Sequence, residues 1–251
     1  MTDTTAESAG RAWWAQFALF GAIIAAVLLV SGPLGYRLGI LGVQGAVLFA
    51  PGMATALAIV VLAFALIGGI IALRRGLRAE RAPLLVGGLV ALLIVGNMGM
   101  QFSRASSVPP IHDITTAPED PPRFDAVLAR RGSGTNSLEY DAADLATPTR
   151  TAYPGVQPIL SDRPPAESFA QALAAVRALG WELVAQDADA GRIEATEESM
   201  LYGFKDDVVI RVRPEGSGSR IDLRSASRVG QSDLGANAAR IERFIERFGA
   251  P

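Results

Sequence analysis

The chain has 251 residues, half of them hydrophobic, and a formal net charge of −2, which suits one or two domains. It holds no cysteine and a single histidine, which excludes disulfides, thiolate chemistry, Cys-ligated zinc and histidine-cluster metal sites. Residues 104–251 carry 17 basic against 22 acidic side chains, so this half lacks the basic face that a nucleic-acid partner requires.

Residues 1–103 carry six Arg against three acids and contain three apolar runs, 14–30, 53–73 and 83–100. Each is close to the length that crosses a hydrocarbon core. Trp13 and Trp14 stand at the start of the first, where indoles favour the headgroup level. A cleaved signal peptide fits poorly, because no basic segment precedes the run and more apolar sequence follows Ser31-Gly-Pro. Leu34 to Ala50 holds Arg37 and Gln44 among apolar residues. It reads as an interfacial amphipathic helix or, second, as a re-entrant segment. Arg74, Arg75, Arg78 and Arg81 crowd the loop between the second and third runs. The positive-inside rule places that loop and the N-terminus in the cytoplasm, and everything after Met100 across the membrane. No ionisable residue lies at an apolar centre, which argues against transport and for an anchor. Gly68, Gly69, Gly87, Gly88 and Gly96 offer small-residue contacts between the helices.

Residues 104–160 are rich in Pro, Asp, Thr and Ser and read as an extended linker that packs on the following domain. Each residue before a proline is pushed out of the helical region, so 108–114 and 153–160 are expected to be extended. Phe124 to Arg131 suits about two helical turns, and 132–150 reads as loop or partly disordered chain. His112 and Asp113 are neighbours on an extended piece and point apart, so they are poorly placed as a catalytic dyad.

The domain proper spans 161–251. Asp162 is the expected N-cap of a helix whose first turn holds Pro164 and Pro165. Phe169, Leu173 and Val176 mark its apolar face, and Gly180 its end. Four strands follow: Trp181–Gln186, a partner from Arg192, Asp206–Arg213 and Arg220–Arg228. The turns between them are short, which requires an antiparallel meander. Leu234, Ala238, Ile241, Ile245 and Phe248 form the stripe of a last amphipathic helix capped by Ser232 or Asp233. Val208, Ile210 and Val212, with Ile221 and Leu223, form an apolar sheet face for the two helices to cover, while the opposite face is charged. The expected fold is three transmembrane helices followed by a two-layer α+β sandwich with a four-stranded sheet.

Arg211, Arg213, Arg220, Arg224 and Arg228 lie on the last two strands. They form either a basic stripe for an anionic partner or a ladder of pairs with Asp222, Glu194 and Asp207, and the balance lies with the ladder. Ser232, Asp233 and Asn237, with Ser225 and Ser227, surround the loop into the last helix, where capping accounts for them and exposed amides could hold an anion. The expected interaction face is therefore Arg211, Arg213, Arg220, Arg224, Arg228, Ser232, Asp233 and Asn237. Asp206 and Asp207 with Glu197 and Glu198 are the only acidic concentration near the core. Strand neighbours diverge, so convergent acid–base or metal work is not expected. Ser227-Arg-Val-Gly230 is not a hydrolase elbow, and Gly230 to Gly235 lacks a phosphate-loop lysine. Neither a cofactor nor a catalytic residue is expected.

The strings Pro-Pro-Ile-His-Asp-Ile at 109–114, Gly191-Arg-Ile-Glu-Ala-Thr196, Gly203-Phe-Lys-Asp-Asp-Val-Val209 and Ser225-Ala-Ser-Arg-Val-Gly-Gln-Ser-Asp-Leu-Gly235, behind three spans, resemble the domain-of-unknown-function 1499 family over about 105–249. The resemblance implies a membrane-anchored bacterial protein and brings no activity or catalytic residue. Met200-Leu-Tyr202 departs from the aromatic pair that family members often carry there. The helix–four strands–helix order is also similar to the helix-grip domains of the lipoprotein subunit of the outer-membrane barrel-assembly machinery, a likeness of fold alone. The expectation is a non-enzymatic interaction or scaffolding domain in the periplasm, held in the bacterial inner membrane. Its partner would be an envelope protein or a lipid. The alternative is a carrier or sensor of a lipid or other apolar ligand.

Overall fold

The computed structural model describes residues 13–249; the N-terminus expected in the cytoplasm lies outside them. The chain divides into two compact units, residues 1–103 and 104–251.

The first unit consists of α1 (Trp13–Arg37), α2 (Ala50–Arg74) and most of α3 (Arg78–Ser107). All three are long and apolar enough to cross a membrane. Ala15, Ala18, Ala22 and Ala25 form one buried stripe on α1, at the three- and four-residue spacing of a single helix face. Small side chains there allow backbone approach, and a Cβ on Gly87 of α3 would stand 2.5 Å from the Ala18 carbonyl. Gly68 and Gly88 also face neighbouring side chains, whereas Gly69 and Gly96 face open space and take no part. Large apolar side chains such as Leu66, Leu85 and Leu93 point outward, as expected of a surface solvated by hydrocarbon.

Leu34 to Ala50, expected as an interfacial or re-entrant segment, does not form a helix of its own. α1 runs on through Pro33 to Arg37, the chain turns at Gly39, and a π-helical turn at Gly45–Phe49 merges into α2. The amide nitrogens of Ile40 and Leu41 both donate to the Gly35 carbonyl, which closes the turn tightly. Too few residues remain for a separate element.

The second unit is α+β. β3 (Glu182–Asp187), β4 (Arg192–Glu198), β5 (Lys205–Glu215) and β6 (Gly218–Ser227) form the expected antiparallel meander. The sheet has six strands, because two short pieces of the linker join it. β1 (Asp113–Thr115) and β2 (Ile159–Ser161) both pair antiparallel with β6, at residues 224–226 and 219–221 respectively. The long β6 would otherwise leave an open edge, and two three-residue strands cover it. Within 132–150 the structure has a helix, α4 (Ala142–Ala152), where loop was expected. The Asp141 carboxylate accepts from the amides of Ala143 and Asp144 and caps it. Phe124 to Arg131 narrows to a 3₁₀ turn at Ala126–Arg130.

α5 (Pro165–Ala178) and α6 (Ala236–Gly249) cover one sheet face. Pro164 takes the N-cap position of α5, so Asp162 is not its cap; a proline fixed near the helical φ starts the helix without a side-chain acceptor. Ala238, Ile241 and Phe248 of the expected α6 stripe are buried, and Phe244 joins them; Leu234 instead lies outside the helix and exposed. Trp181, Phe244 and Phe248 stack in series, with ring centroids 5.9 and 6.0 Å apart. Gly191 turns β3 into β4 at φ 62°, where any Cβ would meet the Val212 carbonyl at 2.1 Å.

The second sheet face is not open to solvent. The 3₁₀ turn and its flanks lie across it, and Phe124 and Val127 pack on Val209 and Ala226. Three layers thus replace the expected two. Phe244→Ala is expected to cost the domain about 3–5 kcal/mol, read as a shifted denaturation midpoint of Trp181 fluorescence; an unchanged midpoint would mean that the aromatic stack does not hold the layer.

Candidate interaction surface

The covered sheet face is built around buried carboxylates. Asp113 on β1 receives a two-point grip from Arg224 on β6, Nε to Oδ1 at 2.9 Å and Nη2 to Oδ2 at 2.6 Å. The same guanidinium donates to the carbonyls of Leu138 and Pro122. Its Cζ lies over the Phe124 and Tyr140 rings, 5.1 and 5.2 Å from their centroids. Burial and, after it, the Asp113 charge push the Tyr140 phenol up to about 12. Arg224 is therefore an interior residue, 2% exposed, and not part of an outward face.

Asp207 is fully buried and accepts from Thr196, Arg131 and both Nε and Nη2 of Arg228. Asp222, also buried, is shared by Arg211, Arg213 and Arg220 at 2.7–3.1 Å. Asp120 meets Arg211 and Arg213 from the linker. Hydrogen bonding from Arg211 is the main cause that holds its carboxyl below the ordinary range. The cross-strand ladder is thus formed, with two additions. Asp113 and Asp120 come from the linker, about 90 to 110 residues away in sequence. Glu194 serves a different purpose: its carboxylate accepts the amides of Asp125, Ala126 and Val127 at 2.9–3.2 Å and so caps the 3₁₀ turn.

Around the loop into α6, Asn237 is buried. It accepts from Ser225 and donates to Ser227 and the His112 carbonyl. Asp233 accepts the amides of Gly235 and Asn237, and Ser232 that of Leu234. Burial raises the Asp233 pKa against those hydrogen bonds. Arg240 on α6, unremarked in the sequence, is 3% exposed and joins Glu197, Asp206, Ser225 and Asn237. Burial raises the Glu197 pKa, but Arg240 and Arg243 outweigh it and hold the carboxyl below its ordinary range. A signal for Arg240 exists only in hindsight: it adjoins Ile241 of the apolar stripe.

Among the described residues no group of three or more His, Cys, Asp or Glu is arranged to hold a metal. A groove of about 620 Å³ opens beside Phe124, Leu128, Tyr140 and Arg224, yet each Arg224 nitrogen already donates within the protein. Of the expected face, Arg211, Arg213, Arg220, Arg228, Ser232 and Asp233 keep partial exposure, while Arg224 and Asn237 do not.

Outward apolar surface is concentrated elsewhere. The β4–β5 loop, 199–204, carries Met200 at 94% and Leu201 at 65% exposure. The loop is rigidly closed: Ser199 N donates to Phe204 O at 2.8 Å, Gly203 N to Ser199 O at 2.9 Å, and Phe204 N to Ser199 Oγ at 2.9 Å. The Tyr202 and Phe204 rings stack 4.9 Å apart, so an aromatic pair is present, shifted to 202 and 204.

Three apolar helices and an α+β domain with a covered sheet define a membrane-protein class with a compact polar-sided domain. The chain belongs to the family described as protein of unknown function (DUF1499), whose model matches residues 113–248. That match begins at β1, so the family unit includes the linker strands. No curated protein and no solved structure matches the chain.

Asp207→Asn would leave Arg131 and Arg228 against a neutral amide, an expected loss of about 3–5 kcal/mol; chemical denaturation reads it, and a near-neutral result would mean that the carboxylate does not hold the linker. Glu197 also fixes a pH response. Its native pKa is depressed, so its stabilisation is present above the unfolded value near ~4.3 and is lost as pH falls through the native one. Asp233, whose pKa is raised, acts in the opposite sense and regains stability as pH falls. Glu197→Gln should flatten the acid limb of a stability–pH curve, and an unchanged limb would refute the assignment.

Proposed function

We propose that this chain is a membrane-anchored, non-enzymatic interaction module of the bacterial cell envelope. Its helices hold it in the inner membrane with the N-terminus cytoplasmic and the domain of residues 104–251 in the periplasm. Its partner is an envelope protein or a lipid surface. The observation that carries the reading is the 199–204 loop, a hydrogen-bonded tip that holds Met200 and Leu201 out from the domain. Met200 is the most exposed large apolar side chain among the described residues. An outward apolar group on a rigid support suits recognition, because little ordering entropy is lost on contact.

The non-enzymatic part rests on how the polar groups are committed. The buried arginines and their carboxylates are turned toward each other and toward backbone carbonyls, an arrangement suited to rigidity. The orientation rests on Arg74, Arg75, Arg78 and Arg81, which flank the turn between α2 and α3. The carrier alternative needs an interior space, and Trp181, Phe244 and Phe248 fill the layer between sheet and helices.

The natural absence of cysteine makes a direct test simple. Ser217→Cys in the β5–β6 hairpin should react with a membrane-impermeant maleimide once the outer membrane is permeabilised. Ala79→Cys should react only after the inner membrane is breached; the reverse pattern would invert the topology. A photocrosslinking amino acid at position 201 should form protein or lipid adducts in cells that the same group at position 217 does not. Equal behaviour at the two positions would remove the loop as the interaction surface.

A further inference from the structure

α2 and α3 fold back on each other across the short arginine-rich turn, and a groove of about 320 Å³ opens between them. Leu62, Leu66 and Leu73 of α2 face Leu85, Leu89 and Leu92 of α3 across it, and Arg81 is the only polar residue in its lining. The hollow exists because side chains are missing from it. Gly69 and Gly88 lie midway along. A Cβ on Gly88 would stand 3.1 Å from the Ala65 Cβ, so the floor is closed there, whereas a Cβ on Gly69 would meet nothing within 4 Å. Leu66, Leu73, Leu85, Leu89 and Leu92 are each more than half exposed. The groove therefore opens to the outside of the helices, where a bilayer would lie.

Its length has a meaning. Leu62 to Leu73 on one wall rises about 16 Å at 1.5 Å per residue, and Arg81 to Leu92 on the other spans as many residues. That is the depth of one leaflet, since a hydrocarbon core is about 30 Å thick. Arg81 stands at the turn end, and Arg74, Arg75 and Arg78 are exposed around the same turn, while Glu80 is buried. Trp14 lines a second groove together with Arg75 and Leu77. An indole and the arginines thus share one end of the helices, the pairing expected at the headgroup level. Arg81 Nε is shielded and makes no hydrogen bond, and a donor at the edge of hydrocarbon calls for an acceptor.

We propose that this groove binds one acyl chain of an anionic phospholipid, whose phosphate is held by Arg81 at the mouth. The chain fills an apolar slot one leaflet deep, and the guanidinium fork matches phosphate oxygens. The neighbouring arginines favour a headgroup that keeps its net negative charge. A second copy of the helices docked in the same sense would instead bring arginines against arginines at the mouth. The site lies wholly within the helical unit, so it goes beyond the interaction-module reading and does not depend on what residues 104–251 bind.

The test is native mass spectrometry of the full chain released from detergent, with phosphatidylglycerol or phosphatidylethanolamine of identical acyl chains added in equal amount. One phosphatidylglycerol per chain should be retained, several-fold over phosphatidylethanolamine. Arg81→Gln should lower the phosphatidylglycerol affinity about fivefold, the scale of one interfacial cation. Gly69→Leu fills the groove without a clash and with a better helix former, and it should abolish retention of either lipid. Gly96→Leu, at a glycine equally open but outside the groove, should leave retention intact. Helical circular dichroism checks that each variant is folded. Equal retention of the two lipids by the unaltered chain would overturn the proposal, as would unchanged retention in Gly69→Leu. A dimer that Gly69→Leu disrupts, with no lipid retained, would assign the groove to a second copy and overturn it as well. None of these outcomes alters the crosslinks at position 201, by which the interaction-module reading is judged.

Discussion

The domain depends on four carboxylates buried beneath a strap of chain that has little apolar surface of its own. Asp113, Glu194, Asp207 and Asp222 lie on the sheet face turned away from α5 and α6, and each is 2% exposed or less. The strap offers Phe124, Val127 and Leu138 as its main hydrophobic contacts, too few to order so long a segment by burial alone. Arginines and backbone amides close the difference. Arg131 reaches from the strap to Asp207, Arg224 from the sheet to two strap carbonyls, and Glu194 gathers three strap amides. A buried carboxylate left without these partners would be far too costly to keep. Strap and sheet therefore order together or not at all. The family match likewise begins at Asp113 and not at α5.

The two faces of the sheet thus represent two ways to exclude water. The helical face uses mainly apolar volume: Ile193, Ile210, Ile221 and Leu223 meet Ile241 and Phe244, and its buried polar groups are mainly the Ser168–Ser219 pair and the cluster of Asp206, Ser225, Asn237 and Arg240. The strap face uses charge-assisted hydrogen bonds, which fix direction as well as contact. Arg224 illustrates the difference. Its guanidinium is gripped by Asp113 through two nitrogens and lies over the Phe124 and Tyr140 rings, so a lysine there would lose both the fork and the guanidinium–ring contacts.

Much of this was legible in the sequence, and the boundary follows a physical rule. Elements with a long period were readable: the β3–β6 meander, α5, α6 and the three spans each repeat a pattern over many residues. β1 and β2 were not, because three residues cannot display alternation and their neighbours are prolines. α4 was hidden by Pro148 inside it and by weak apolar content, and only the Asp141 cap marked its start. The arginine ladder was foreseen between β5 and β6, where the partners are near in sequence. The capture of Arg224 by Asp113 was not, since the pair is 111 residues apart and Asp113 looked like loop. Phe244 was missed for a simpler reason: the stripe was drawn one row too narrow.

The same accounting bears on where function can reside. A buried arginine whose every nitrogen donates inside the domain cannot bind an anionic partner without breaking the fold's own contacts, so occupancy removes Arg224 from a binding surface even though its type suggests one. Partial exposure leaves Arg211, Arg213, Arg220 and Arg228 visible to solvent, but each is paired to a buried carboxylate, and a competing ligand would have to replace that interaction in full. The loop that carries Met200 and Leu201 is instead closed by hydrogen bonds among Ser199, Gly203 and Phe204.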